Sequence, residues 1–398
     1  MAQDRILRPR GSSSVEILES RLDHLRQRIA VHVASGLAPA LSVVAAQGGE
    51  IFFDEAFGTR SPGGENVTTD DPHNIMSITK TVVAVGVMKL VEDGLLTLTR
   101  PVGDYLPELA TPGNEHLLVH NLLTHTSGFD DEELNRKWFT TALSGEAVDV
   151  PDGYDLETHL WLSSSWGIEP VVPLASTMIY ANINYLWLGE IIHRVSGQSL
   201  DDFTRTQIFE PLGMVNTAFL LRPDQQIRRV RRFGSMPMGP HAFYDTERED
   251  FATSQLGDRS LKSSARDLAI LAQMFLNGGI YNGARILSPA SVVQICTSHF
   301  PKLDFQLGSL IFTDPGYGYG MMMDSGKRMR YFNGVLQPQG SCGHSGAGGS
   351  HLYFDPKNDL SIVVLELVTH MSPDSEPISG LYPVICDMIY ASLTTFQP

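Results

Sequence analysis

"IMSITKTVVAVGVMKLVEDG", residues 75–94, places a serine and a lysine three residues apart at the head of an apolar run. Three residues along an α-helix are about 300° of rotation and about 4.5 Å of rise, so Ser77 and Lys80 share a face one turn apart. From Ile78 to Val91 the only other strongly polar side chain is Lys89, and a helix apolar nearly all round is a buried one. An isolated buried ammonium is costly, so Lys80 is paired, solvated by a cleft, or neutral. Burial lowers the pKa of a lysine, and a neutral amine beside a hydroxyl is a general base for a nucleophile. Ser77 also stands at the helix N-terminus, whose free N–H groups and dipole favour negative charge and suit an oxyanion. The plain alternative is a capping serine followed by a surface lysine. Two features weigh against it: no other serine in the chain has lysine three residues on, and the surrounding helix is unusually apolar.

Two more stretches supply partners. "MIYANINYLWLGEIIHRVSG" (178–197) carries Tyr180 and Asn182 just before a helix, with Asn182 or Asn184 as N-cap and Gly197 as terminator. Two apart in an extended segment, their side chains point the same way. A phenol relays a proton and an amide holds a carbonyl; the plainer reading is a buried tyrosine and a cap. "GHSGAGGSHLYF" (343–354) is a glycine-rich run feeding a strand. Its glycines permit close approach of another backbone or a ligand, with His344 and Ser345 at the flank of a cleft; the plainer reading is a flexible turn.

The bulk numbers set the outer limits. A chain of 398 residues is one large domain or two, and 42% apolar content is enough for a core. The net charge of −16 repels nucleic acid and anionic membranes, so neither is expected as a partner. One basic run, Arg228-Arg229-Val230-Arg231-Arg232, breaks the acidic pattern and reads as a solvated loop or helix face. The polar N-terminus has no apolar signal core, and no apolar run is long enough to span a bilayer. Cys296, Cys342 and Cys386 are odd in number and far apart in sequence, so no disulfide framework is expected and a cytoplasmic location fits.

Hydrophobic periodicity predicts helices at 14–36, 77–93, 182–196, 199–208, 264–277 and 379–394, and hairpins at 41–58 and 351–368. The expected fold class is mixed α/β: an antiparallel sheet built from both chain ends (1–94 and 286–398), covered by helices, with a mostly helical domain over 95–285. The cleft between the two is the expected ligand site.

With these residues in place, a resemblance emerges. "SITK", "YAN" and "HSG" resemble the three active-site elements of the serine β-lactamase and penicillin-binding-protein superfamily. The Tyr-x-Asn form is similar to the class C β-lactamase branch, which includes DD-peptidases and family VIII carboxylesterases. "NLLTHTSGF" (121–129), "IFEPLGMVNTAF" (208–219) and "SSARDLAILAQMFLNGG" (263–279) are similar to that branch in the same order, and the likeness covers most of residues 15–395. It implies a β-lactamase/transpeptidase-like fold, with Ser77 as the acylated nucleophile, Lys80 keeping it deprotonatable and Tyr180 as general base and acid. Asn182 would orient the substrate carbonyl. The N–H groups of Ser77 and Ala347 would form the oxyanion hole, with His344, Ser345 and Gly346 on the third element. No metal or cofactor is implied.

The departures matter for substrate. His344 stands where β-lactamases of this kind carry a lysine that helps to hold a carboxylate, and imidazole is largely neutral at pH 7, with a reference pKa of about 6.5; this weakens the case for a dedicated β-lactamase, while a histidine is also seen there in some DD-peptidase-like relatives. Ala175-Ser176 and Arg259-Ser260 replace residues that are often glycine or proline in relatives, and both changes alter the rim of the cleft. Residues 130–172, with Trp138, Trp161 and Trp166, match weakly and form a candidate substrate-side cap. The expectation is a carboxylesterase on small or medium acyl esters, acting on a small-molecule ester or amide. A D-amino-acid peptidase or amidase, a weak β-lactamase, an acyltransferase and a catalytically silent binding relative are the alternatives. An α/β-hydrolase is disfavoured because "GHSGA" lacks the closing glycine of its nucleophile motif and precedes a strand. His116, His120 and His125 lack metal-ligand spacing.

Overall fold

The fold is described by a computed structural model for residues 4–11, 15–144, 147–231, 249–299, 303–307, 310–313, 316–323, 333–368 and 380–397. The strands that matter below are β1 (Arg8–Pro9), β2 (Ala40–Gln47), β3 (Glu50–Gly58), β4 (His73–Asn74), β5 (Met178–Ile179), β6 (Lys262–Ser263), β7 (Asp304–Leu307), β8 (Leu310–Thr313), β9 (Met322–Met323), β10 (Cys342–Gly346), β11 (Ser350–Asp355) and β12 (Leu360–Glu366). The helices that matter below are α1 (Glu19–Ala34), α2 (Thr79–Glu92), α3 (Leu156–Ser165), α4 (Asn182–Ser196), α5 (Ala265–Leu276) and α6 (Tyr382–Tyr390).

Both chain ends build one seven-stranded sheet in the order β1-β3-β2-β12-β11-β10-β9. It is antiparallel apart from the β1–β3 pair. The central strands are buried on both faces, and the two-residue period of a strand sorts their side chains into two layers. Leu41, Val43, Ile362 and Val364 face Leu22, Leu25 and Ile29 of α1 and Ile385 of α6. Val44, Val363 and Leu365 face the other way, into the larger core shared with α2, α4 and α5. The register Val43↔Val364 and Val44↔Val363 keeps the two sets in phase. The β2–β3 hairpin closes through Gly48 and Gly49 with φ of +60° and +82°, values that suit a two-residue hairpin turn and favour glycine.

The mixed α/β class and the joining of the two chain ends are as expected from the sequence. Boundaries moved inward: the first helix starts at Glu19, not residue 14, and the last spans Tyr382–Tyr390 with a proline in its first turn. The expected helix at 199–208 is regular only over Leu200–Thr204 and then widens to a π-type turn over Arg205–Phe209. The basic run is solvated only in part, at Arg231. Arg228 donates to Asn216 Oδ1 (2.7 Å) and the Asp70 carbonyl (3.1 Å), and Arg229 is buried; Arg232 lies outside the described residues. Cys296, Cys342 and Cys386 are free thiols. Among the described residues no helix is long and apolar enough to cross a membrane.

Candidate active site

A 3-10 turn, Met76–Ile78, leads into α2. Met76 holds a left-handed backbone (φ +49°), a conformation that non-glycine residues keep only where the surroundings enforce it. The Asn74 side chain does part of this, its Oδ1 accepting from Met76 N at 3.1 Å. The turn leaves Ser77 half-buried, while Lys80, one turn on, is fully buried.

Lys80 is buried but not isolated. Its Nζ donates to Ser77 Oγ (3.1 Å), Asn182 Oδ1 (2.8 Å) and the Asp258 carbonyl (2.8 Å), which uses all three ammonium protons. Burial pushes its pKa down to about 8, against the upward pull of the Asp258 and Asp131 carboxylates. Nζ also lies 4.9 Å from the centroid of the Tyr180 ring, within the range of a cation–π contact. Tyr180 follows β5, which pairs in parallel with β7, and its N–H donates to the Gln306 carbonyl at 2.9 Å.

Asn182 opens α4 but is not its N-cap, and neither is Asn184: the capping position is Ala181, which has no side-chain oxygen. A carboxylate from elsewhere takes that role. Asp131 accepts from Asn182 N (2.8 Å), Ile183 N (3.0 Å) and Asn182 Nδ2 (2.9 Å). It satisfies free N–H groups at the helix start and fixes the Asn182 amide so that its oxygen faces Lys80. Burial raises the Asp131 carboxyl pKa, opposed by those same N–H groups.

The sheet side of the site is β10. His344 is fully buried. Its Nδ1 lies 2.7 Å from the Ser345 carbonyl, which can only accept, so Nδ1 carries the proton and Nε2 accepts from Tyr317 OH at 3.3 Å. Burial, with Lys80 adding repulsion, lowers its pKa to about 3. Ser345 is turned to other partners: its Oγ meets His351 Nδ1 (3.0 Å) and Tyr353 OH (3.1 Å). A Cβ on Gly346 would stand 2.2 Å from the Ile75 carbonyl, so only glycine lets β10 lie against the turn that carries Ser77. Ala347 is the next residue, half-buried where the strand turns toward β11.

Of the residues expected from the sequence, Ser77, Tyr180 and Asn182 meet at one buried amine and His344 lies close enough to feel its charge, whereas Ser345 is turned away from it. Those not foreseen are Asp131, the Asp258 carbonyl, Tyr317 and His125, whose ring packs 4.5 Å from that of Tyr180. The "DDEE" run at 130–133 was the available sign of Asp131. Arg259 is buried rather than on the rim: it pairs with Asp258 and stacks 4.1 Å over Trp161. Trp161 stacks in turn on Trp138 at 4.8 Å, so these two tryptophans are packing.

This fold, with a serine at a helix start touching a buried lysine, defines a class: the serine hydrolases of the β-lactamase and penicillin-binding-protein superfamily. The family model described as Beta-lactamase matches residues 25–378, and the chain belongs to that family. It is 25% identical over 94% of its length to an Escherichia coli (strain K12) protein provisionally named a D-alanyl-D-alanine carboxypeptidase, covering 91% of that protein. In structure it is similar to a penicillin-binding-protein homologue from Caulobacter crescentus, with a TM-score of 0.74, 22% identity and 96% and 99% coverage of the two chains. It is also similar to a family VIII carboxylesterase, with a TM-score of 0.72, 20% identity and the same coverage.

Proposed function

We propose that this chain is a carboxylesterase that forms an acyl-enzyme on Ser77 and takes small or medium acyl esters without a carboxylate beside the scissile bond. The observation carrying the choice of substrate is His344. Its Nδ1–H is committed to the Ser345 carbonyl and its Nε2 to Tyr317, and burial holds it neutral across the physiological range. The third motif therefore offers no cation to a substrate carboxylate.

In the first half-reaction the Ser77 hydroxyl proton passes to the Lys80–Tyr180 pair as Oγ attacks the ester carbonyl. The tetrahedral oxyanion is met by the backbone N–H groups of Ser77 and Ala347. Collapse breaks the ester C–O bond, and the alcohol leaves with the proton held by the pair. Water then gives its proton to the same pair, attacks the acyl carbon and releases the acid and Ser77. Asn182, fixed by Asp131, orients the substrate carbonyl. A lysine with a pKa near 8 suits this role, because an appreciable fraction of the amine is neutral at working pH.

A D-amino-acid carboxypeptidase is the second reading, favoured by the name of the Escherichia coli relative. It ranks lower because its substrate carries a carboxylate to which the neutral His344 offers no charge. One panel separates them: p-nitrophenyl acetate and butyrate, a chromogenic cephalosporin and a D-Ala-D-Ala peptide. Ester turnover with an acyl adduct on Ser77 by mass spectrometry is expected; peptide turnover exceeding ester turnover would replace the proposal.

A further inference from the structure

His125 has no part in the acyl transfer as derived above, yet it is among the most constrained residues near it. It is fully buried and held at φ +57°, in the left-handed region that disfavours any residue with a Cβ. Its Nδ1 accepts from Ala181 N and Asn184 Nδ2, each at 3.2 Å. Asn184 Oδ1 is taken by the Ser127 hydroxyl at 2.7 Å, so the Asn184 amide presents its N–H to the ring. With Nδ1 the acceptor, the proton of the neutral ring is on Nε2, and Nε2 has no hydrogen-bond partner among the described residues. A buried unpaired donor and a left-handed backbone are both costly. Asparagine or glycine would remove the backbone cost, so what the site retains is the ring.

The position of that ring explains why. The His125 carbonyl accepts from Ile179 N at 2.9 Å, and its Nδ1 accepts from Ala181 N. The residues on either side of Tyr180 are thus bonded to one residue. Between these two bonds the imidazole packs against the phenol ring, centroids 4.5 Å apart and tilted by 34°. The other rings packed against it are those of Tyr185 and Tyr317, and the charged or titratable groups acting on it are Lys80 and His344. An imidazolium would repel the Lys80 ammonium; burial keeps the ring neutral.

We propose that His125 is a positioning residue for Tyr180: it clamps the backbone before and after the tyrosine and backs its ring, fixing where the phenol stands over Lys80. The inference rests on the acyl-enzyme reading above. A displacement of about 1 Å in such a site can cost about 10²-fold in rate, which sets the expected effect.

The test compares His125→Gly with His125→Asn, because both residues tolerate the left-handed backbone. Glycine keeps the main-chain bond to Ile179 but lacks the ring and the acceptor; asparagine restores an acceptor for Ala181 N. With p-nitrophenyl butyrate, kcat of His125→Gly should fall about 10²-fold with KM nearly unchanged, and His125→Asn, which restores the acceptor but not the ring, should recover part of it. The Ala181 amide should exchange with solvent faster in the glycine variant and slowly in the asparagine variant. Full kcat in His125→Gly, equal losses in both variants, or a loss confined to KM would overturn the proposal. If His125→Gly does not fold, His125→Gln, whose amide is carried one bond farther from the backbone, takes its place with the same expectations. Wild-type enzyme forming no acyl-Ser77 would instead sink the esterase reading, and the amide-exchange comparison would still decide whether His125 holds the Tyr180 segment.

Discussion

Among the described residues two lysines are fully buried, Lys80 and Lys262. Burial lowers both, to about 8 and about 7, and both donate to backbone carbonyls, yet their side-chain partners differ. Lys262, on β6, donates to the carbonyls of Phe219 and Ala252, each at 2.8 Å. It ties two chain segments together and meets no nucleophile. Lys80 gives one bond to a carbonyl and the other two to a serine hydroxyl and an amide oxygen. A depressed lysine pKa is therefore a consequence of burial and no mark of catalysis by itself. What separates the two is the side chain at the other end of the hydrogen bond.

The sharpest way to break this contrast is to remove each amine. Lys80→Met and Ser77→Ala should each lower kcat/KM for p-nitrophenyl butyrate by at least about 10³-fold, as for groups that act as a unit. Lys262→Met should leave kcat of the folded protein almost unchanged. If Lys262→Met is as inactive as Lys80→Met while its near-UV circular dichroism stays native, the distinction fails. Tyr180→Phe comes next, with an expected loss of about 10²–10⁴-fold, the range of a general acid–base group.

The Ser77–Lys80 pair was legible because it is local: both residues lie within one helical turn, and the helical period fixes their common face. The same holds for Tyr180 and Asn182, two positions apart in an extended segment. Asp131 was not legible, because its value comes from meeting Asn182 across 51 positions. The Asp258 carbonyl, 178 positions from Lys80, is a main-chain atom with no residue signature at all. Asn182 and Asn184 were credible caps by composition, but the helix start packs against the loop bearing Asp131, and a full negative charge there is the stronger partner. Arg229 and Arg259 read as surface residues, yet both are buried, Arg259 between a carboxylate and a tryptophan face. Charge runs describe a sequence; burial depends on what the fold brings alongside.

Asp131 gives the next prediction. Asp131→Asn replaces an acceptor-only group with an amide facing N–H donors. It should destabilise the protein by about 0.5–2 kcal/mol, the range for losing a helix cap. It should also lower kcat, because Asn182 loses the bond that fixes its amide. Urea titration reads the first effect and ester turnover the second; unchanged kcat would detach Asn182 from the chemistry.

The smallest effect is the most specific to the contrast. Lys262→Met leaves the Phe219 and Ala252 carbonyls without their donor, a cost of about 1–3 kcal/mol, partly offset because an ammonium no longer has to be buried. That offset depends on pH. Below about pH 7, Lys262 is protonated in both folded and unfolded chains, and the folded protein bears the full cost of the buried charge. Between about 7 and the ordinary lysine value of 10.5, the folded chain releases the proton while the unfolded chain keeps it. The unfolded state then binds more protons, so wild-type stability rises with pH relative to the methionine variant. Urea unfolding of both proteins from pH 6.5 to 9.5 should show that divergence, and parallel curves would mean that burial does not depress Lys262. In the same samples ester hydrolysis should rise through about pH 8 in both proteins, because that step belongs to Lys80. A rate profile that moved with Lys262→Met would join the two lysines into one titrating system and dissolve the contrast between them.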